Sequence, residues 1–500
     1  MKKTAFILGI IIIISKTVGF LREVTLSYFY GASYISDAYL ISLSIPGVLF
    51  GLLATGVATG YIPMYTSIEE KHGLKEANRY TNNIVNILLL ISVIAVLIGL
   101  IFTRSLVTIF ASGFTAETMQ LAINFTRITL FGIFFMSLTT IFNGFLEIKG
   151  KFIVPALMGF PLNAIIIASI FISAKTSPLI LAIGSLIAFS SQLIFMIPSI
   201  KNSDYKYKRV FKINDEHVKK MAIIALPIII GTSVNEINII VDKTIASNLS
   251  VGAISTLNYA KILSDSIVAL FVATLVKVIY PTISRMAAKG NIKGLKTTVE
   301  EAINSIVILI IPATVGLMLY SYPITRLIYA RGAFSNAALD MTSGALFYYS
   351  LGIFGYAMRH VLFNVFYAMQ DSKTPMINGS IAVILNIILN IILSRVMGVN
   401  GLALATSISA LVSVLLLFIS LRIKIGYLGL KKLSYTFIKV LTASAFMGLI
   451  SRLTYYIFGV ESNLSLLLAV IVGVLSYTII VYNMNIREVD NLVKGFKNKF

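Results

Sequence analysis

The chain has 500 residues, of which 57% are hydrophobic and 12% charged, and its mean hydropathy is +0.91. Soluble globular proteins carry about 25% charged residues, so this composition excludes an ordinary soluble protein and indicates a polytopic membrane protein. The net charge of +21 is concentrated in short loops between apolar segments, where basic residues act as topology signals; we expect no nucleic-acid partner. The sequence lacks cysteine, and its three histidines are far apart, so we expect no disulfide, no metal site and no bound cofactor.

Apolar segments long enough to cross a bilayer recur along the whole sequence. The first follows Lys2 and Lys3 and resembles a secretory signal, but no small-residue cleavage site follows, so we interpret it as an uncleaved first helix. The sequence predicts an all-α polytopic membrane protein of about fourteen helices, near 4–29, 36–65, 80–103, 119–146, 152–174, 178–200, 220–247, 254–283, 298–320, 337–368, 375–397, 400–422, 433–457 and 463–485.

The distribution of basic residues predicts the orientation of these helices. Most of the 41 lysines and arginines fall in loops on the side that holds both termini. The other side receives only Arg104, Lys175, Arg326, Arg331, Arg395 and Arg452. By the positive-inside rule both termini are cytoplasmic, and we expect a multi-pass protein of the bacterial plasma membrane that acts as a monomer.

Eight basic residues remain at apparent membrane depth: Lys16, Arg22, Arg127, Lys243, Lys261, Lys277, Arg359 and Lys439. Each would cost about 2.5–3.5 kcal/mol at the centre of a lipid-facing helix. Lys277 and Lys439 lie near segment ends, from which they can extend to the interface. We expect most of the others to line a hydrated, electropositive interior.

The first helix carries three charged residues at apparent membrane depth. Lys16 and Glu23 are seven residues apart and share a stripe, whereas Arg22 is turned about 120° away. A guanidinium can donate two parallel hydrogen bonds to a phosphate, so Arg22 is the natural anion ligand. Alternatively, Arg22 pairs with Asp37 and holds helices one and two together. Further basic lining is expected from Arg127 in helix four and Arg359 in helix ten.

Helices seven and eight carry matching polar stripes. Asn235, Asn238 and Asp242 recur at i, i+3 and i+7 in helix seven, and Asn258, Lys261 and Asp265 repeat that spacing in helix eight; each set therefore occupies one helix face. The stripes are either an interhelical clamp or a site where Asp242, Asn238 and Asp265 bind a coupling cation, sodium or a proton.

The two halves of the sequence repeat each other at a spacing near 220 residues. Tyr61-Ile62-Pro63 is echoed by Ile279-Tyr280-Pro281, and Phe142-Asn143-Gly144-Phe145 by Phe363-Asn364-Val365-Phe366. The repeat predicts two six-helix lobes plus two C-terminal helices, the duplicated architecture of alternating-access transporters. The predicted domains are an N-lobe (1–200), a basic cytoplasmic linker (201–219), a C-lobe (220–424), the last two helices (425–485) and a basic tail (486–500).

Several of these motifs together resemble the MurJ/MviN family of bacterial lipid II flippases, within the multidrug and oligosaccharidyl-lipid exporter superfamily. The resemblance spans nearly the whole chain and rests on the segments 15–23, 30–33 (Tyr-Gly-Ala-Ser), 36–39 (Ser-Asp-Ala-Tyr), 258–260, 280–285, 331–334 (Arg-Gly-Ala-Phe) and 366–375. It implies fourteen helices in two lobes, a cationic cavity for the diphosphate sugar head, and a groove beside the last two helices for the polyprenyl tail. The family's arginine, arginine, acid and aspartate positions fall on Lys16, Arg22, Glu23 and Asp37.

The resemblance implies a transporter rather than an enzyme, which moves lipid II from the inner to the outer leaflet by alternating access for cell-wall synthesis. Membrane potential would favour outward movement of the anionic head, and a cation would reset the carrier. The family's basic residues after Ile45-Pro46 are absent here, and its arginine in helix eight falls on Ile262, beside Lys261. These departures leave open a flippase for another lipid-linked saccharide.

Two further alternatives follow from the sequence. A multidrug or cation antiporter of the same superfamily should favour acids over this excess of basic residues. A membrane glycosyltransferase or polymerase would need catalytic carboxylates near the membrane surface. The only candidates for that role are Glu69 and Glu70, which we expect in a short, solvated loop.

Overall fold

The computed structural model describes residues 2–460 and 462–490. Its secondary structure there is helical, as expected where the bilayer offers the backbone no hydrogen-bonding partner. The helices are α1 (Lys2–Tyr30), α2 (Tyr34–His72), α3 (Leu74–Ile101), α4 (Thr103–Phe110), α5 (Ala116–Thr129), α6 (Gly132–Ile148), α7 (Ile153–Leu157), α8 (Gly159–Lys175), α9 (Leu179–Lys201), α10 (Glu216–Ser247), α11 (Ala253–Ala288), α12 (Ile292–Leu319), α13 (Ser321–Tyr329), α14 (Asn336–Ala368), α15 (Lys373–Met397), α16 (Val399–Ile425), α17 (Leu430–Ile457) and α18 (Asn463–Asn483).

Each predicted span overlaps mainly one of these helices, except that 119–146 covers α5 and α6 and 152–174 covers α7 and α8. Within the described ranges, nine helices are long and apolar enough to cross a membrane, or up to eleven if each of two bent pairs is one span. One bent pair is α5 with α6, at 42°, and the other lies within α10, at 55°. The remaining predicted spans coincide with α1, α11 and α14, which carry more polar side chains. The expectation of an all-α polytopic fold is confirmed.

Helix lengths repeat in the same order as the sequence motifs. The long helix α2 has 39 residues and its counterpart α11 has 36. The next helices, α3 and α12, have 28 residues each, and both are followed by a short helix, α4 with 8 residues and α13 with 9. The internal repeat is therefore visible in the order and lengths of the helices.

The chain divides into two compact units, and the division falls inside α11. The first unit contains residues 1–255 and 331–335, and the second contains 256–330 and 336–500. This division follows compactness, whereas the predicted lobes follow the repeat, so the lobe and linker boundaries stay a prediction. The last ten residues of the predicted basic tail and the side chain of Lys277 lie outside the described part.

The repeated motifs pack against each other within each unit. In the first unit a Cβ added to Gly144 would lie 3.2 Å from the Tyr61 ring, so the two motifs are in contact. Tyr61 stacks on Tyr80 with ring centroids 6.0 Å apart. In the second unit Tyr280 and Asn364 line one small cavity together. In each unit the two repeated motifs therefore lie close together.

Glu69 and Glu70 lie in a helix rather than in the expected loop, and Glu70 is solvent-exposed as expected. Helix α2 continues to His72, so both acids lie in its last turns, and Glu69 Oε1 is 2.6 Å from Lys149 Nζ at the end of α6. The ring of His72 also lies 6.0 Å from that of His217, although 145 residues separate them in sequence. The helix therefore extends past the predicted membrane edge, where Glu69 is ion-paired and the last three residues are exposed.

Candidate functional site

Arg22 is held in place by one carboxylate and one amide. Its Nε and Nη2 both donate to Glu23 Oε1, at 3.1 and 2.5 Å, and Nη1 donates to Asn163 Oδ1 of α8 at 3.2 Å. The Glu23 side chain is 8% exposed, while that of Arg22 is 28% exposed. A guanidinium has five N–H donors, so two remain for a ligand. Neighbouring Glu23 and Asn163 thus fix the orientation of a partly accessible fork.

Gly159 lies at the close approach of α1 to α8. A Cβ on Gly159 would lie 2.1 Å from Ser15 Oγ, whereas one on Gly19 would make only an ordinary contact, 3.7 Å from Asn163 Nδ2. Asn163 itself donates to the carbonyl of Gly159 at 2.8 Å. Small residues let membrane helices come close enough for such polar contacts, which here bring Asn163 within reach of Arg22.

Asp37 caps the start of α11. Its Oδ2 accepts from the backbone N–H of Gly252 at 2.7 Å, and its Oδ1 accepts from both the N–H and the hydroxyl of Ser255, at 2.8 and 2.7 Å. The residue is 2% exposed. A carboxylate at a helix N-terminus satisfies orphan donors and the helix dipole together. The alternative ion pair with Arg22 is not formed, because each group has other partners.

Lys243 of α10 binds α2 on the face that carries Asp37, one and two turns further along the helix. Its Nζ donates to Ser44 Oγ at 2.5 Å and to the carbonyl of Leu40 at 3.4 Å. Asp37, Leu40 and Ser44 follow i, i+3 and i+7, so one stripe of α2 receives both the lysine and the start of α11. On α10 itself, Asn238 Nδ2 donates to Asp242 Oδ2 at 3.3 Å. Two of the predicted coupling-ion residues are therefore adjacent.

Three glycines form a close backbone junction near Asp37, which we call the glycine joint: Gly31, Gly252 and Gly332. Their φ values are +59°, +85° and +63°, and a Cβ on any of them would lie 2.2–2.5 Å from a carbonyl oxygen of a neighbouring segment. The N–H of Ala333 also donates to the carbonyl of Tyr28 at 2.8 Å. Only glycine fits these positions. The joint explains physically why the 30–33 and 331–334 motifs contain glycine.

In the second unit the predicted basic residue Arg359 lies over aromatic rings. Its guanidinium carbon is 5.0 Å from the Tyr356 centroid and 5.8 Å from that of Phe363. Cation–π contacts stabilise a charge without neutralising it, so Arg359 remains a cationic centre. Lys261 and Asp265 are both exposed on α11.

The remaining predicted site residues are more isolated. Lys16 and Arg127 are exposed, and neither makes a hydrogen bond or ion pair with a described residue. Lys439 donates to the carbonyl of Met484, the C-cap of α18, at 2.6 Å. Its amine thus binds a helix end rather than extending freely to the interface.

An ion pair lies outside the membrane spans, between the α14–α15 turn and the end of α16. Asp371, between α14 and α15, accepts from Lys424 Nζ at 2.5 Å and from the N–H and hydroxyl of Thr374. Burial opposes ionisation of Asp371, but the bonds from Lys424 and Thr374 and the charge of Lys424 outweigh it and lower the pKa of the carboxyl to about 2. The Asp-Ser-Lys-Thr motif is therefore a turn fastened to the end of α16.

Sequence reasoning missed several polar residues of the site. Asn163 stands alone in an apolar segment and carries no periodic signal. In α15, Asn386 and Asn390 are buried, and the Nδ2 of Asn390 donates to Asn386 Oδ1 at 3.0 Å; their i, i+4 spacing was visible in the sequence. Within the described chain no group of three or more His, Asp or Glu residues is placed to hold a metal ion.

A duplicated set of membrane-spanning helices with charged side chains held at membrane depth defines a polytopic membrane transporter. The profile of the family "Lipid II flippase MurJ" matches residues 26–473. The chain belongs to this family, whose members are flippases rather than enzymes.

Individual relatives agree with that assignment. A probable lipid II flippase MurJ of Vibrio cholerae is 27% identical over 98% of this chain and 97% of its own. A protein of the same description from Thermotoga maritima is 26% identical over 99% and 98%. The solved structure of a lipid II flippase MurJ in an inward closed conformation superposes with a TM-score of 0.85 at 29% identity, covering 96% of this chain and 98% of that one. A MATE-family multidrug transporter, at 15% identity and a TM-score of 0.71, shares the fold alone.

Proposed function

We propose that this chain moves lipid II, an undecaprenyl-diphosphate-linked peptidoglycan precursor, from the cytoplasmic to the outer leaflet for cell-wall synthesis. The observation that carries the proposal is the partly exposed Arg22 fork, which Glu23 and Asn163 orient while two of its donors stay available. A diphosphate is the substrate group that such a fork recognises. Family membership supports lipid II over another lipid-linked saccharide.

The substrate-binding residues of this proposal are Arg22, oriented by Glu23, with Lys16, Arg127, Lys261 and Arg359 as further cations and Asp37 as a positioning residue. No covalent step is required, because the obstacle to movement is desolvation of a charged, sugar-bearing head. An inside-negative potential favours outward movement of a dianion by about 4.6 kcal/mol at 100 mV.

The fork is tested in cells depleted of their own lipid II flippase and expressing only this chain. Arg22→Ala should abolish externally labelled lipid II. Arg22→Lys, which keeps the charge and loses the planar fork, should retain a small fraction. Arg79→Ala is the matched control, because Arg79 makes an exposed ion pair with Glu76, and it should transport normally. Normal external lipid II in Arg22→Ala would disprove the site assignment.

We further propose that a cation, sodium or a proton, resets the empty carrier at Asp242, with Asn238 adjacent and Asp265 contributing from α11. The Asn238–Asp242 hydrogen bond supports the pairing of two of these residues. Asp242→Asn should then transport at a rate that no longer responds to sodium or pH gradients in proteoliposomes. A response equal to that of the unaltered chain would exclude Asp242.

We also propose that the chain acts as a monomer in the bacterial plasma membrane with both termini cytoplasmic. The cysteine-free sequence allows single reporters: Lys206→Cys in the basic linker and Lys175→Cys on the opposite side. An impermeant maleimide should label Lys175→Cys in intact cells and Lys206→Cys only after permeabilisation; the reverse pattern would invert the topology. Single-chain mass in nanodiscs tests the monomer.

A further inference from the structure

Residues 202–215, which we call the linker strap, are bound along α3 by a ladder of asparagines, and residues 205–212 between two turns form neither helix nor strand. Asn78, Asn82 and Asn86 follow an i, i+4, i+8 spacing, so their amides share one face of the helix. Their Nδ2 atoms donate to the carbonyls of Asp204, Lys206 and Val210, at 3.0, 3.0 and 2.9 Å respectively. Asn83 adds a two-way contact with the backbone of Lys212, at 2.8 and 2.7 Å.

Two tyrosines anchor the same strap from its own side. The hydroxyl of Tyr205 donates to Asn82 Oδ1 at 2.6 Å, and that of Tyr207 donates to Asn86 Oδ1 at 2.7 Å. Burial raises the pKa of Tyr205, so the phenol stays a donor. Its ring also contacts Phe142 and Phe145, with centroids 5.3 and 5.5 Å away. These contacts fix the backbone of the strap. Because ordering a linker costs conformational entropy, a fixed strap indicates a role beyond connecting two helices.

The outward side of the strap combines positive charge with apolar surface. Lys206, Lys208, Arg209 and Lys212 are all exposed, whereas Asp215 binds the N–H of His217 and caps α10. Between these cations, Phe211 is 50% exposed and Ile213 is 57% exposed. A basic segment needed only as a topology signal requires neither a fixed backbone nor exposed apolar side chains.

Basic residues interleaved with apolar side chains beside a membrane-spanning helix match an anionic lipid surface. Lysine and arginine attract the phosphate headgroups, while the apolar side chains enter the headgroup boundary. Water alone would leave Phe211 and Ile213 unfavourably solvated.

We propose that the linker strap is a binding surface for the headgroups of anionic phospholipids in the adjacent leaflet. Asparagine pinning orients Lys208 and Arg209 toward these headgroups and holds Phe211 at the boundary. This inference goes beyond the proposed flippase activity and does not depend on it, since it concerns bulk membrane lipid rather than the transported molecule.

The tryptophan-free sequence allows a direct test with the full chain. Phe211→Trp introduces the only tryptophan of the chain, on the strap, and it can be excited selectively over the tyrosines. It is placed in two sets of nanodiscs of identical composition, phosphatidylcholine with a minor share of phosphatidylglycerol. One set carries bromine on the phosphatidylglycerol chains, and the other carries the same amount of bromine on phosphatidylcholine. We expect quenching at least about twofold stronger with brominated phosphatidylglycerol.

Two charge variants complete the design. Lys208→Gln with Arg209→Gln should bring the quenching ratio to about one, because it removes the two cations that attract the headgroups. The ladder should stay intact, because neither residue supplies a carbonyl to it. Lys289→Gln with Lys293→Gln removes two exposed cations from the turn between α11 and α12 and the first turn of α12 and should keep the ratio of the parent. Ile213→Trp serves as a second reporter if Phe211→Trp lowers the Tm.

Each contrary outcome overturns the proposal. Absence of quenching by either lipid means that the strap does not touch the bilayer. Equal quenching by both lipids means contact without headgroup recognition. A ratio that survives in Lys208→Gln with Arg209→Gln, or falls equally in the Lys289 and Lys293 control, removes the strap cations as the recognising groups.

Discussion

Two junctions of the first unit, one before α2 and one on α3, are held by opposite means. Near the start of α2, the glycine joint brings backbone segments together because Gly31, Gly252 and Gly332 have no side chains. On α3, the linker strap is bound by side-chain amides and phenols. A backbone junction depends on each of its glycines, whereas a ladder distributes its hydrogen bonds over several side chains. Single substitutions should therefore break the first and only weaken the second.

The largest expected effect comes from Gly332→Ala. The residue has a φ of +63°, and the new Cβ would lie 2.2 Å from the carbonyl oxygen of Tyr28, so steric overlap adds to a backbone strain of about 1–2 kcal/mol. We expect loss of transport and a Tm lowered by several degrees. Gly398→Ala is the control, since it has a φ of +56° and nothing within 4 Å. Equal changes in Tm for both variants would show that the close approach is unimportant.

The next effect concerns the Asp37 cap beside the joint. Asp37→Ala would leave the N–H of Gly252 and both donors of Ser255 without their acceptor, at about 1–3 kcal/mol for each buried group. We expect faster hydrogen exchange over 252–256 together with a lower Tm. Asp37→Asn, which keeps one acceptor oxygen, should lie between.

An exposed cap calibrates that measurement. Thr115, which accepts from the N–H of Thr118 at 3.4 Å, is exposed, so Thr115→Ala should cost only about 1 kcal/mol. If Asp37→Ala lowers the Tm no more than Thr115→Ala does, burial of the cap does not contribute to stability.

A smaller effect is expected in the ladder. Asn82→Ala with Asn86→Ala removes the acceptors of both strap tyrosines and two donors to its backbone. Each bond contributes about 1 kcal/mol net, so we expect faster hydrogen exchange and proteolysis confined to 205–212, with the Tm little changed. Asn483→Ala, whose amide contacts only its own helix, should leave the strap protected. Unchanged protection in the double variant would mean that the aromatic contacts of Tyr205 suffice.

The smallest effect is the pH dependence of the Asp371–Lys424 pair. The pKa of Asp371 is lowered from 3.8 to about 2, so the pair stabilises the protein above pH 4 and this contribution disappears as the pH falls toward 2. Lys424 is 39% exposed, which limits the contribution to below about 1 kcal/mol. Between pH 5 and 3 the Tm of the parent should fall more than that of Asp371→Asn. Asp340→Asn, at an exposed carboxylate, should behave like the parent.

Much of the fold could be predicted because the length of apolar segments and the repetition of motifs can be read directly from the sequence. Apolar length located the spans, and the repeated Tyr-Ile-Pro and Phe-Asn motifs located the duplication. The candidate site was less accessible. Arg22 was found because an isolated charge in apolar sequence is conspicuous, but its partner Asn163 lies 141 residues away in a segment without a pattern. The alternative of an Arg22–Asp37 pair could not be decided from the sequence, because sequence distance does not show that Asp37 lies at the start of α11.

The sequence by itself determined the helical membrane architecture, since only apolar stretches of sufficient length are stable in a bilayer and a duplication preserves their order. It also determined which residues carry charge at membrane depth. Only the tertiary structure decided what each charge does. Arg22 became an oriented fork, Asp37 a helix cap, Lys243 a ligand of α2, and the basic linker a pinned strap. Hydrogen bonds join atoms by distance and angle, and residues far apart in sequence meet those conditions only after the helices pack.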